Sequence, residues 1–303
     1  MPARALSPGG ATRFDVVSAV AVEMDQTFSH GEYRLVYDTY GLPNRPLVVY
    51  LSGLLLDAEL NRGMAQALAD KGYRIVLLDL LGHGRSDKPT HASAYRIDSY
   101  ADQVIALLDH LGAEAAVLGG ISLGANVSLF AAARYPQRVR ALVLEMPVLE
   151  RAVPAAALLF TPIVIAAHYG RAVVNVTSRV IRHVPRTRNG LVNTVINVAS
   201  TPPDVISAVL HGILVGPVAP TQEERRAIVC PTLVLAHRND LIHPFTDATA
   251  LVDRMSNGVL VRARSPLELR LMPARLTDEV VRFLESVDTG PGFEGAANEM
   301  SHG

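Results

Sequence analysis

Gly120-Ile121-Ser122-Leu123-Gly124 sets a serine between two glycines. Residues 115–118 before it are an apolar run that reads as a short buried strand, and residues 125–134 after it are alanine-rich with helical spacing. Strand, sharp turn and helix around a G-x-S-x-G pattern is the setting in which a serine hydroxyl is held exposed on a strained turn. Small flanking residues suit such a turn, which leaves no room for a Cβ. A serine hydroxyl is weakly nucleophilic at neutral pH, so Ser122 does chemistry only if the rest of the chain brings it a base.

The elements that must position Ser122 follow a strand–helix rhythm. Residues 47–51 (Leu-Val-Val-Tyr-Leu) form a continuous apolar run, as a strand buried on both faces requires, and Ser52-Gly53 follows as a loop. Residues 57–71 predict a helix with Asp57 as N-cap and Gly72 as its stop. Residues 73–80 predict a second buried strand, 82–89 a turn-dense loop, 99–111 an amphipathic helix and 139–145 a further strand. The rhythm returns later with strands at 232–236 and 259–263 and helices at 244–255 and 273–287. Upstream, residues 14–24 and 32–40 alternate apolar and polar, which predicts an antiparallel pair joined through Ser29, His30 and Gly31. Such units imply an α/β fold: a mostly parallel sheet with helices on both faces. Ligand sites in these sheets lie at the carboxyl ends of the strands. Ser122, Ser52-Gly53, Glu145 and Asp240 all follow strands at that edge.

Between the two runs, residues 147–226 show no β alternation. Helices broken at Pro154, Pro162, Pro185, Pro202-Pro203 and Gly216-Pro217 are expected there, forming a helical cap inserted between two strands. The chain thus divides into a core of 1–146 and 227–287, a cap of 147–226, and a flexible tail of 288–303. Residues 1–10, rich in Pro, Gly and Ala, read as a disordered leader. Residues 152–170 carry no charge, but two prolines interrupt them and many are alanine. A membrane span needs about 20 strongly apolar residues, so an apolar helical lid is expected and a transmembrane span is not.

Hydrophobic residues make up 49% of the 303 and charged residues 19%, enough for a sizeable core. A formal net charge of −1 makes no electrostatic case for nucleic acid or an anionic membrane; Arg179, Arg182, Arg186 and Arg188 read as a solvated helix face. The single cysteine, Cys230, excludes an intrachain disulfide and is expected to be a buried structural thiol. Residues 1–12 lack the apolar core of a signal peptide, and a cytoplasmic location is expected. The histidines are scattered with no metal-ligand spacing, and Gly82-His83-Gly84 lacks the Lys-Ser/Thr close of a phosphate loop.

Several segments in order resemble the α/β-hydrolase family. Besides 120–124, Asp79-Leu80-Leu81-Gly82-His83-Gly84-Arg85-Ser86 resembles the family's D-x-x-G-H-G-x-S loop, and residues 231–244 resemble the strand and loop that carry its acid. The resemblance covers roughly residues 32–287 and implies Ser122 as nucleophile, Asp240 as the acid that orients the base, and the backbone N–H groups of Leu54 and Leu123 as oxyanion donors. Many relatives carry His-Gly in the oxyanion loop where this chain has Ser52-Gly53. Haloalkane dehalogenases and most epoxide hydrolases of this fold use an aspartate nucleophile; this chain has Ser122.

The family's histidine lies in a loop after the last strand. Here that loop, residues 262–270, holds Ser265 or Pro266 at its place, and no histidine occurs between His243 and His302. Three explanations stay open. The base has moved, with His243 the best placed because it shares the loop of Asp240, although a surface or supporting histidine would occupy the same position; His237 is a weaker candidate. Alternatively the chemistry has changed, using Glu145, which otherwise pairs with an arginine, or Glu268, which is otherwise solvated or paired with Arg270. Or catalysis is lost and the chain binds ligands. The leading expectation is a cofactor-free serine hydrolase acting on an ester or thioester of a small lipophilic substrate; the alternative is a catalytically impaired ligand-binding member of the fold.

Overall fold

In the computed structural model, residues 20–238, 240 and 242–288 are described. Among the described residues, eight strands form one sheet: β1 (Val22–His30), β2 (Tyr33–Tyr40), β3 (Leu47–Leu51), β4 (Arg74–Asp79), β5 (Ala116–Ile121), β6 (Val139–Glu145), β7 (Thr232–His237) and β8 (Gly258–Ala263). Their spatial order is β1-β2-β4-β3-β5-β6-β7-β8. The β1–β2 and β2–β4 pairings are antiparallel and the rest parallel.

The helices α1 (Arg62–Ala69), α2 (Ile97–His110) and α3 (Leu123–Arg134) precede the strand β6. Five more, α4 (Val153–Tyr169), α5 (Arg171–Ile181), α6 (Gly190–Ala199), α7 (Pro203–Val215) and α8 (Gln222–Arg226), lie between β6 and β7 as the helical insertion. The chain then adds α9 (Phe245–Val252), α10 (Glu268–Leu271) and α11 (Ala274–Asp288).

Strand pleating divides the core into two layers. On β3, Val49 and Leu51 face the side covered by α2 and α3, where Val104, Leu107 and Leu129 are fully buried. Val48 and Tyr50 face the other side, against Met64 and Leu68 of α1 and Leu276, Val280 and Leu284 of α11. Each such side chain contributes roughly 1.5–3 kcal/mol on burial, against about 1 kcal/mol for a typical net hydrogen bond, so these two layers dominate the stability of the sheet.

Three expectations are corrected. The first strand is Val22–His30, running through Ser29 and His30, with a two-residue turn at Gly31 (φ +60°) and Glu32. Asp25, at φ 56°, bulges out of register and donates its N–H to Asp38 Oδ1 at 3.0 Å, which breaks the alternation that would have revealed the strand. Asp57 stands at the N-cap position of a short 3-10 turn, but its side chain makes no cap bond. Asp79 Oδ1 takes the Ala58 N–H instead (2.8 Å), because the Asp57 carboxylate is drawn into the insertion. Pro162 does not end a helix: α4 runs through it, while Pro154 sits in its first turn, where no amide is needed.

The expected leader, most of the stretch 14–24, and the tail beyond Asp288 lie outside the described residues. Among the described residues, no single helix is long and apolar enough to cross a membrane; α6 and α7 reach that length and composition only as a pair bent by 96°. Cys230 is partly buried, and burial pushes its thiol up to about 11.

Candidate active site

The end of β5 turns into α3 at a single residue. Ser122 has φ 54° and ψ −110°, a conformation that a non-glycine residue adopts only under strain. A Cβ on Gly120 would stand 2.5 Å from the Gly124 carbonyl carbon, and one on Gly124 would stand 2.4 Å from the Leu51 oxygen. Both glycines are therefore demanded by contact with neighbouring backbone. The turn is held by Ser122 N–H donating to Glu145 O (2.8 Å) and by Asn126 N–H donating to Ser122 O (3.1 Å).

β7 ends two strands away in the sheet, beyond β6. Its loop brings His243 across: Nε2 lies 3.0 Å from Ser122 Oγ. The other ring nitrogen, Nδ1, lies 3.0 Å from Asp240 Oδ2. A carboxylate is acceptor only, so Nδ1 carries the proton toward Asp240, and Nε2 is left to accept from the serine hydroxyl. His243 is not a surface group; its side chain is 13% exposed and that of Asp240 6%.

Asp240 also organises its own loop. Oδ1 accepts the N–H of Ile242 (2.8 Å) and of His243 (2.9 Å), and the Arg238 guanidinium packs 5.7 Å from the Phe245 ring centroid across the loop. Burial pushes the Asp240 carboxyl upward, but the hydrogen bonds from the His243 ring and backbone outweigh it, and the group titrates below the usual carboxylate range.

Leu54 and Leu123 both line the cavity that holds Ser122. Leu123 is the first residue of α3, so its amide has no partner within the helix. The Leu54 loop is fixed from beneath: buried Ser52 donates to Asp57 O (2.6 Å) and accepts from Asn61 Nδ2 (2.9 Å). Ser52 thus occupies its place as a structural hydroxyl.

The remaining candidates are engaged elsewhere. Glu145 is 4% exposed; it accepts from Tyr50 Oη (2.6 Å) and forms an ion pair with Arg270 Nη1. Burial would lower the Arg270 pKa, but the Glu145 carboxylate beside it reverses that and holds the guanidinium above its usual range. Arg270 Nη2 continues to Asn61 Oδ1 at 2.7 Å. Glu268 is neither solvated nor paired with Arg270: it is 2% exposed, bonds Arg275 Nε (2.8 Å) and accepts the Arg264 N–H, because Arg270 has turned under the sheet edge toward Glu145. His237 ends β7 partly buried, and its Nδ1 has no hydrogen-bond partner among the described residues. None of these three side chains has a hydrogen bond to the Ser122 hydroxyl among the described contacts.

Two functional supports escaped the sequence. Asn126 Nδ2 donates to Val148 O (2.7 Å) and Val218 O (2.6 Å), and its Oδ1 accepts the Val148 N–H, so one side chain at the start of α3 ties down both ends of the insertion. Asp57 accepts from Thr194 Oγ1 (2.7 Å) and Asn197 Nδ2 (2.5 Å) of α6, pinning it to the core. A buried polar residue just after an apolar strand was the only available signal for either.

Ser122 and His243 open on a cavity of about 240 Å³ walled mainly by apolar side chains, among them Leu56, Ile97, Phe160, Leu210 and Ile213. Leu55, at φ 62°, points away and lines a separate polar cavity of about 460 Å³ with Arg62, Lys88 and Arg182; that cavity contains neither Ser122 nor His243. Among the described residues, no group of three or more His, Cys, Asp or Glu is placed to hold a metal ion.

A family model described as the alpha/beta hydrolase fold matches residues 46–163, a span that includes Ser122 and stops short of Asp240 and His243. The 3-oxoadipate enol-lactonase 2 of Acinetobacter baylyi is 33% identical over 112 residues, which are 37% of this chain and 41% of that protein. Epoxide hydrolase B of Mycobacterium tuberculosis is 40% identical over 98 residues, 32% of this chain and 28% of that one. The chain thus spans about two fifths or less of the length of these curated relatives. The crystal structure of the enol-lactonase from Burkholderia xenovorans LB400 matches with a TM-score of 0.69 at 22% identity, over 86% of this chain and 100% of that one. This is a likeness of fold.

Proposed function

Because the chain carries the α/β-hydrolase fold, we propose that it is a serine hydrolase acting on an ester, or thioester, of a small lipophilic molecule, with Ser122, His243 and Asp240 as its catalytic residues. The observation that carries this is the bridging position of His243, 3.0 Å from Ser122 Oγ on one side and 3.0 Å from Asp240 on the other. A base has moved rather than vanished: it stands three residues after the acid, on the same turn.

In this mechanism Ser122 Oγ attacks the substrate carbonyl carbon as His243 Nε2 takes the hydroxyl proton. Asp240 stabilises the imidazolium and fixes its tautomer. The carbonyl oxygen, now an oxyanion, receives hydrogen bonds from the Leu54 and Leu123 amides. The tetrahedral intermediate collapses, the ester C–O or thioester C–S bond breaks, and the leaving alkoxide or thiolate takes the proton from His243. Water then attacks the acyl-enzyme, with His243 again as base, and releases the acid and free Ser122. The residues present need no cofactor for either half.

The substrate class rests on the cavity. Its apolar walls favour a lipophilic acyl or alcohol part, and about 240 Å³ lies near the lower end of ligand-site volumes, which favours a small one. The test is a panel of aryl esters and thioesters of graded acyl length, comparing wild type with Ser122→Ala. Hydrolysis of short to medium acyl chains that Ser122→Ala abolishes is the expected result. Equal rates for the two proteins would overturn the proposal.

A further inference from the structure

Two helices of the insertion, α5 and α6, bury polar side chains and turn apolar ones outward. On α5, Ser178 is the one side chain that is fully buried (1% exposed), while Val173, Val176 and Val180, spaced along one face, are 71%, 62% and 65% exposed. On α6, Asn193 and Thr194 are 2% and 1% exposed and bond Glu59 and Asp57 of the core, while Val192 and Val195 face outward. On α4, Leu158 and Ile165 are likewise exposed, 78% and 52%. A water-facing helix normally presents the opposite pattern. Scattered exposed apolar residues need no explanation, but α5 turns a row of valines outward, and its neighbours in sequence, α4 and α6, expose apolar residues as well, which marks a surface that is covered by something.

Charge says what covers it. Between Glu150 and Asp204 the sequence contains Arg151, Arg171, Arg179, Arg182, Arg186 and Arg188 and no Asp or Glu. Six of the 28 Lys and Arg residues and none of the 29 acids therefore lie in this stretch, although the whole chain is nearly neutral at −1. The whole-chain charge hides a dipole: a cationic cap on an anionic core. Arg179, Arg182, Arg186 and Arg188 are all exposed, and only Arg171 of the α5 arginines has an ion-pair partner given by the structure, Asp204.

We propose that the outer face of α4, α5 and α6 docks peripherally on an anionic lipid surface. An amphipathic helix with valines outward and arginines at its margins lies in a bilayer interface, its apolar face among acyl chains and its cations against anionic headgroups. A second copy of this chain is a poorer occupant, since the exposed arginines beside each face would repel each other.

The test is flotation of the full wild-type chain with phosphatidylcholine vesicles, with and without a half share of phosphatidylglycerol, at low and high salt. Binding to the anionic vesicles that exceeds binding to the neutral ones by at least about tenfold, and that falls with added salt, is the expected result. Two variants sharpen it: the triple change Val173→Asp, Val176→Asp, Val180→Asp, and the double change Arg179→Glu, Arg188→Glu. Each is predicted to lose most of the anionic-vesicle binding with Tm close to wild type, because the substituted side chains face out. No vesicle binding, equal binding to both vesicle types, or variants that bind as wild type would each overturn the proposal. So would a concentration-dependent dimer, seen by analytical ultracentrifugation, that the triple variant abolishes while vesicle binding stays absent. Neither measurement depends on the chain being a hydrolase.

Discussion

The Asp240 carboxylate accepts the His243 ring through Oδ2 at 3.0 Å and the His243 backbone N–H through Oδ1 at 2.9 Å. Acid and base are thus parts of one turn, and the carboxylate that orients the imidazole also folds the loop that carries it. The two duties separate by substitution. Asp240→Asn keeps an oxygen for the backbone bonds and loses the charge, so kcat is predicted to fall by on the order of 10³–10⁴ with Tm close to wild type. Asp240→Ala loses both duties and is predicted to lower stability as well, by about 1 kcal/mol for each lost bond. Steady-state kinetics and thermal denaturation on the two variants check this.

The sheet was legible in the sequence because its strands are buried on both faces: the β3 and β6 bounds are Leu47–Leu51 and Val139–Glu145, as the continuous apolar runs imply. The Ser122 elbow was legible because only glycine fits at 120 and 124, and contact leaves that mark on the sequence. His243 was visible as a candidate but not as a partner. Its role depends on how far the 238–244 loop reaches across the end of β6, and loop trajectory leaves no periodic trace. The bulge at Asp25 displaced the bounds of β1, expected to end at Met24 and running instead to His30, since one residue at φ 56° shifts every later side chain to the other face. The inverted polarity of α5 and α6 was invisible, because periodicity gives a helix its faces but not which one turns inward.

Glu145 and Arg270 form a pair with side-chain exposures of 5% and 3%. Removing one partner leaves a buried charge uncompensated. Glu145→Gln or Arg270→Met alone is predicted to destabilise by about 3–5 kcal/mol, and the double variant by less than the sum of the two. Chemical denaturation of the three proteins measures it.

His83 is buried at 3% exposure, its Nδ1 lies 3.0 Å from Leu81 O, and burial lowers its pKa to about 4. The unfolded chain takes up this proton near the ordinary histidine value, about 6.5, while the folded chain resists it. Stability is therefore full above about 6.5 and is lost as pH falls from there toward 4, by on the order of 3 kcal/mol in all from this group. Denaturation midpoints across that window are predicted to slope less steeply for His83→Gln than for wild type.

Asp57 holds α6 through Thr194 and Asn197. Asp57→Ala leaves these donors without their acceptor and loosens α6 from the core, while α6 contributes no residue to the lining of the Ser122 cavity. The predicted outcome is a stability loss of about 1–3 kcal/mol with kcat and KM for lipophilic esters close to wild type. A roughly tenfold rise in KM would argue that α6 governs substrate retention from outside the cavity.

The central claim is that His243 activates Ser122. A fluorophosphonate probe reports on it without knowledge of the substrate, through intact-protein mass spectrometry and peptide mapping of the adduct. Wild type is predicted to form a single adduct at Ser122, and His243→Gln to form it at least about 10³-fold more slowly. Labelling of His243→Gln at the wild-type rate, or no labelling of Ser122 in the wild type, would contradict the account.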